Sequence, residues 1–332
     1  MYSVQCANLN VCTLYTVIVK GGNMWKYAFK RIFLLLPVLA GVIFCVFSLL
    51  CITPGDPARL ILGEQVSEEA INEFREKEGL NNPFLIQYFD YMYKALRYGD
   101  IGYSYVSKKP VIKDIASAFP VTIKLASLAI CAAVLIGVPV GIISAIKKYR
   151  LTDIIVMFLA IAGVSIPSFW IGFLLILFFS VGLGWLPSSG FDTFDAMILP
   201  AFTLGLHPMA LITRMTRSGM LEAMQQDYIR TARAKGQSEK NVIWRHALGN
   251  ALIPVITVIG LQFGNVLGGA VLVETVFSIP GIGRLMVDAV KMRDYPVVQG
   301  GALSIALAFC IINLLVDFGY AWLDPRIKKK YR

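Results

Sequence analysis

The sequence predicts an all-α integral membrane protein with six transmembrane helices, and three observations carry that prediction. Hydrophobic residues make up 57% of the 332-residue chain and charged residues only 16%, with a mean hydropathy of +0.66. A soluble chain buries only part of its volume and does not need so much apolar surface. The apolar residues are also gathered into runs of about 20, the length that crosses roughly 30 Å of hydrocarbon as a helix. Lastly, the basic residues fall on alternate loops between the runs. Backbone in lipid must satisfy its own hydrogen bonds, and runs this long do so as helices.

The first 23 residues fit poorly with the rest of the chain. Met24-Trp-Lys-Tyr-Ala-Phe-Lys-Arg31 reads as a natural start, with basic residues just ahead of a span. Gly21-Gly22-Asn23 can be encoded GGAGGAAAT, a ribosome-binding sequence immediately before the Met24 codon. Residues 1–23 are therefore either a mis-assigned N-terminal extension or a short cytoplasmic tail. A cleaved signal peptide fits less well, because run 32–52 exceeds the roughly 7–15-residue apolar region of such peptides.

The first run, 32–52, carries no charge. The polar segment 53–118 is too long for a hairpin and opens on Thr53-Pro-Gly-Asp-Pro57, a string of turn-formers. Ser67 can cap a short helix with Glu68 and Glu69 in its first turn and a stop at Gly79. Asn82-Pro83 can start a second helix, rich in Phe and Tyr, ending near Gly99. A small extracytoplasmic helical lobe is expected here, so residues 24–118 form span plus lobe ahead of a five-helix core at 119–325. The core runs are 119–146, 154–181, 196–213, 251–273 and 297–316. Run 119–146 carries only Lys124, near its outer end, which can snorkel to the interface. Gly137, Pro139, Gly141, Gly163, Pro167 and Gly172 suit close packing and kinks.

A net charge of +10 would suit nucleic acid, but its placement gives it another meaning. Lys20, Lys26, Lys30 and Arg31 precede the first run, and Lys147, Lys148 and Arg150 follow the second. Arg214, Arg217, Arg230, Arg233, Lys235, Lys240 and Arg245 lie between the fourth and fifth. The tail, 326–332, adds Arg326, Lys328, Lys329, Lys330 and Arg332. On the opposite side, loop 182–195 has no Lys or Arg, and segment 53–118 has 8 basic against 10 acidic residues. The positive-inside rule then places both termini in the cytoplasm of a multi-pass protein of the cell membrane. Of the six cysteines, Cys45, Cys51, Cys131 and Cys310 lie in apolar spans as small hydrophobes, and no CxxC pair or metal-ligand spacing occurs.

The segment from about 214 to 253 is far longer than a connection requires, and it is helix-patterned. Leu221, Met224 and Tyr228 make one apolar stripe, and Val242, Ile243, His246 and Ala247 a second. Gly236 stands where a helix needs a left-handed last residue, and Ser238 can cap the next. Helix, glycine turn and helix are expected at the cytoplasmic membrane face, with Thr231, Ala232 and Ala234 small enough to let another protein approach.

Asp227-Tyr-Ile-Arg-Thr-Ala-Arg-Ala-Lys-Gly236 with His246-Ala-Leu-Gly-Asn-Ala-Leu-Ile-Pro254 resembles the "EAA" loop of binding-protein-dependent ABC permeases. It looks most like the B-type subunit of the dipeptide/oligopeptide/nickel group. Supporting matches are Pro54-Gly-Asp-Pro57, Gly99-Asp-Ile-Gly102, Pro120-Val-Thr122, Val273-Glu-Thr-Val-Phe277, Pro280-Gly-Ile-Gly283, Asp317 and Asp324-Pro-Arg326. Thr231 replaces the generic Glu, and Gly236 and Pro254 are more widely spaced than in the generic motif, both as in that group.

The resemblance implies a type I ABC importer permease fold and a docking role toward a cytoplasmic ATPase for Asp227, Tyr228, Thr231, Ala232, Arg233, Lys235, Gly236, His246, Asn250 and Pro254. It implies a second permease subunit in a heterodimer, two ABC ATPases that hold ATP and Mg, and an extracytoplasmic solute-binding protein, with lipid around the spans. No cofactor or metal is expected in this chain, which has no G-x-x-x-x-G-K-[ST] loop. The substrates implied are di- or oligopeptides, with nickel, a metal chelate or glutathione as alternatives. A secondary transporter would need paired intramembrane charges, and a membrane enzyme a nucleophile with its base; neither pattern is present. From the charge pattern alone a basic hairpin holding anionic lipid is the plainer reading of 214–253, and the motif match sets it aside. Glu274 is either a structural anchor or a pathway residue, and His207 either a kink partner or a metal contact.

Overall fold

A computed structural model describes residues 24–52, 55–63 and 66–323. Every regular element among the described residues is helical. The expectations for residues 1–23, Pro54, the Asp317 side chain, Asp324–Arg326 and the basic tail lie outside the described residues, as do the side chains of Lys26, Lys30 and Arg31.

Helix α1 (Met24–Ile52) is followed by α2 (Pro57–Leu62), α3 (Glu68–Lys77) and α4 (Phe84–Tyr98). Asp56 caps α2, Ser67 caps α3, and Gly99 closes α4 in the left-handed conformation that glycine adopts without strain. The lobe is not held away from the first span. Phe84 and Tyr88 of α4 stack edge-on against Phe44 and Phe47 of α1, and the Tyr88 hydroxyl donates to the Ala40 carbonyl at 3.1 Å.

The core comprises α5 (Val111–Ile146), α6 (Leu151–Ser165), α7 (Ser168–Leu175), α8 (Phe194–Met224), α9 (Asp227–Ala234), α10 (Glu239–Asn241), α11 (Leu248–Val276), α12 (Ile282–Lys291) and α13 (Tyr295–Leu323). Wider π-type turns extend α7 through Ile176–Gly182 and join α10 to α11 through Val242–Ala247. Helices α1, α5, α8, α10–α11 and α13 are long and apolar enough to cross a bilayer, and α6 with α7 makes a sixth span if the bent pair is counted as one.

Helices α5 and α8 form the centre. A Cβ on Gly141 would lie 2.7 Å from the Thr213 carbonyl, and one on Gly205 2.6 Å from the Ala129 carbonyl, so glycine lets these backbones meet. Ala126, Ala129 and Ala133 on α5 are fully buried at this seam.

Three departures from the sequence-based expectations matter. Run 154–181 is broken far more sharply than a kink, into α6 and α7, bent by 107°. Pro167 offers no N–H and pushes Ile166 out of the helical region, to φ −90° and ψ 130°. Run 196–213 continues as helix to Met224, so Arg214 and Arg217 belong to α8 and not to a loop. The helix after Ser238 is no separate surface element either: it runs unbroken into the membrane span α11.

Candidate functional site

Helix α9 packs at the basic end of the bundle, against α5, α8 and α11. It is separated from α8 by a turn at Gln225–Gln226 and from α10 by Gly236. Gly236 has φ +73°, and a Cβ there would meet open space, so the position needs glycine for its backbone angle and not for room. Ser238 then accepts from the Asn241 N–H at 3.4 Å and restarts the chain as helix. Across the turn the Arg233 guanidinium reaches both Glu239 oxygens, at 2.8 and 3.3 Å.

The inner face of α9 is apolar. Ile229 and Ala232 are buried with Ile142 and Ala145 of α5, Met220 and Ala223 of α8, Val242 and Ala247 of the π turn, and Ala251 of α11. Ala232, expected on the surface that receives another protein, is instead turned inward, where its small side chain lets α9 approach its own bundle. Asp227, Tyr228, Thr231, Arg233, Lys235 and Gly236 are exposed, together with Arg230, Ala234, Lys240 and Arg245. His246 and Pro254 are half-buried in the continuous α10–α11 helix. Asn250 is exposed and donates to the Tyr228 hydroxyl at 2.9 Å, tying α9 to the start of the span. The ten residues therefore fall into an exposed basic shelf, an inward anchor at Ala232, and the root of α11.

One inner support has no signal in the sequence. Asp153 on α6 is almost fully buried and takes two bonds from Arg217 of α8, at 2.6 and 2.8 Å. It also accepts from Ser144 of α5 and from the Tyr149 N–H at 2.9 Å. Three helices are thereby joined just above α9. Along the chain Arg217 is only one charge among many, because its partner lies 64 residues away.

At the other end, Glu274 is fully buried. It accepts from Thr122 at 2.6 Å and from the Arg284 N–H at 3.1 Å, while Thr122 accepts from the Ile282 N–H at 2.9 Å. A carboxylate at the first turn of α12 also meets the positive end of that helix. Buried and bonded in this way, Glu274 anchors the turn into α12.

The family model described as the inner membrane component of binding-protein-dependent transport systems matches residues 137–329, and its N-terminal companion matches residues 24–126. The chain belongs to this family. It is 47% identical to the dipeptide transport system permease protein DppB of Alkalihalophilus pseudofirmus, over 92% of this chain and 100% of the relative. It is 46% identical to the glutathione transport system permease protein GsiC of Escherichia coli K12, over the same shares. Among solved structures, the inward-facing MetNI methionine ABC transporter is similar in fold, with TM-score 0.55 at 18% identity over 64% of this chain and 96% of that chain. The resemblance drawn from the 227–254 segment thus stands: this is a multi-pass ABC importer permease.

Proposed function

We propose that this chain is one permease half of an ATP-driven peptide importer and that α9 is its docking element for a cytoplasmic ATPase. The observation that carries the docking role is the division of α9 into two faces. Its apolar face is fixed to three helices of the bundle, and its polar, basic face is free to meet a partner. A push on α9 passes through the Gly236 turn into α11 and through the shared apolar cluster into α5 and α8. With the basic end in the cytoplasm, both termini are cytoplasmic, and the opposite loops meet the solute-binding protein. Two ATPases hydrolyse Mg-ATP, and a second permease completes the pore.

Peptide as substrate rests on the dipeptide and glutathione relatives, both of whose named substrates are peptides. The test is uptake of labelled dipeptide, glutathione and nickel in a strain lacking this gene, with and without the gene restored. Loss of dipeptide or glutathione uptake is expected, and each identifies its own branch. Loss of nickel uptake alone would refute the peptide reading. Failure of the tagged chain to copurify with an ATPase would refute the docking role.

A further inference from the structure

The bend between α6 and α7 falls inside an apolar span, and there a mainly apolar cavity wall carries several polar groups. Pro167 has no N–H, so the Gly163 carbonyl one turn earlier lacks a helical donor, and Pro208 has the same effect on the Leu204 carbonyl of α8. Gly163 and Leu204 both line a cavity of about 310 Å³. The polar side chains in its wall are Ser165 and Ser168 at the bend, Thr203 and His207 on α8, and Gln262 and Asn265 on α11. Ser165, His207 and Asn265 are exposed although they sit within membrane-spanning helices. Non-helical backbone and carboxamides at this depth are tolerated only inside protein or against water, not against lipid tails. The cavity therefore faces either another protein surface, such as a second permease, or an aqueous path.

We propose that this cavity is a subsite of the translocation path that hydrogen-bonds the neutral amide groups of a peptide backbone. The proposal rests on the peptide reading above and names where that substrate is held. Carboxamide and hydroxyl groups offer donors and acceptors in the pattern of a peptide unit. The cavity lining contains no Asp, Glu, Lys or Arg, so it does not select peptides by side-chain charge. Its volume is at the lower end of the roughly 300–1,000 Å³ found for small-ligand pockets. Neutral hydrogen bonds also suit a conduit, which must release what it holds.

The test uses the importer assembled with its partners in proteoliposomes. Cysteine is placed at Gln262, or at Leu135, an exposed apolar residue of α5, in a chain whose own cysteines are replaced. A membrane-impermeant methanethiosulfonate reacts with the thiolate, which forms only in contact with water, so position 262 should label about tenfold faster than position 135. Dipeptide presented with the binding protein should slow labelling at 262. Equal rates at the two positions overturn the aqueous path, and an absence of protection overturns the subsite. In transport, Gln262→Leu should cut dipeptide uptake about tenfold at normal chain level, as expected if one hydrogen bond to the passing substrate is lost, while Gln262→Asn keeps most of it. Unchanged uptake in Gln262→Leu overturns the proposal. If the unaltered chain imports neither dipeptide nor glutathione, the peptide reading fails and with it the ligand class, whereas the labelling rates still report on the path.

Discussion

The two ends of the bundle hold their buried carboxylates by opposite means. At the basic end, Asp153 meets a guanidinium that retains some contact with solvent, with 21% of the Arg217 side chain accessible. At the other end, Glu274 and Asp294 are fixed by hydroxyls and backbone. Asp294 accepts from Ser104 and from the N–H groups of Tyr105 and Val106 at 3.0 and 3.3 Å, joining the lobe to the start of α13. The same surroundings hold the Tyr105 phenol above its ordinary pKa, first through burial and then through Glu78 and Asp294, so it stays neutral and protonated. Backbone donors cannot be repositioned without unfolding the turn that presents them. A long arginine side chain can follow its partner through a small slide. The lobe end is thus built to keep one geometry, and the basic end suits the transmission that the proposed docking role of α9 requires.

If that contrast is right, damage at the lobe end should remove folded protein, and damage at the basic end should remove transport from protein that still folds. The largest effect is expected at Glu274. Glu274→Ala leaves Thr122 and the first N–H groups of α12 without their acceptor in a fully buried site, at a cost of about 3–4 kcal/mol. Chain level and thermal midpoint in detergent should both collapse. Glu274→Ala protein of normal stability but no uptake would contradict the division.

Asp153→Ala should follow, at about 2–3 kcal/mol, below the usual loss for an orphaned buried charge because Arg217 keeps partial access to water. Pairing it with Arg217→Met should recover at least half of the lost stability, read as the shift in thermal midpoint. Recovery of uptake along with stability would argue against a transmitting role for the pair.

Gly236→Val is expected to cost little folded protein and most of the transport. A β-branched residue in the left-handed conformation is strained by about 1–2 kcal/mol, a strain the turn can relieve by shifting α9 on its shelf. Uptake should fall at least about tenfold while ATP hydrolysis by the assembled importer persists. Gly236→Asn, which tolerates that conformation, should stay near normal because its Cβ meets open space. Full transport by Gly236→Val would sink the lever.

How much of the molecule is legible in its sequence depends on whether a feature is local. Caps at Ser67, Gly99, Gly236 and Ser238 are readable because each is a local demand on one backbone position. The spans are readable because apolar length is itself the signal. The 107° bend is not, since Pro120, Pro139, Pro200, Pro208 and Pro254 all sit inside continuous helices and look the same in sequence as Pro167. Packing around each proline decides which one breaks its helix. The extension of α8 past residue 213 is hidden because hydropathy ends where the charges begin, although the helix does not. The inward face of Ala232 is half-visible: Ile229 and Ala232 are three apart and the nearby residues are polar, which marks a packed stripe. The cavity's polar residues Gln262 and Asn265 stand out in an apolar run, but nothing local joins them to His207.

The smallest effect should be at the Arg233–Glu239 pair, and it separates a staple from a docking contact. Both side chains are well exposed, 43% and 63%, so screening leaves the bond about 0–0.5 kcal/mol of stability despite its good geometry. Arg233→Ala should therefore move the thermal midpoint by no more than about 2 °C. If the pair only closes the Gly236 turn, uptake should drop less than about twofold, and Glu239→Ala should behave the same way, because a staple is lost equally from either side. A larger loss of uptake in Arg233→Ala, without one in Glu239→Ala, would mean that the guanidinium is needed by something outside this chain. Since Arg233 stands on the exposed shelf beside Lys235 and Arg230, that asymmetry would place the partner's acidic surface against α9, at the end of the bundle that transmits and away from the end that is fixed.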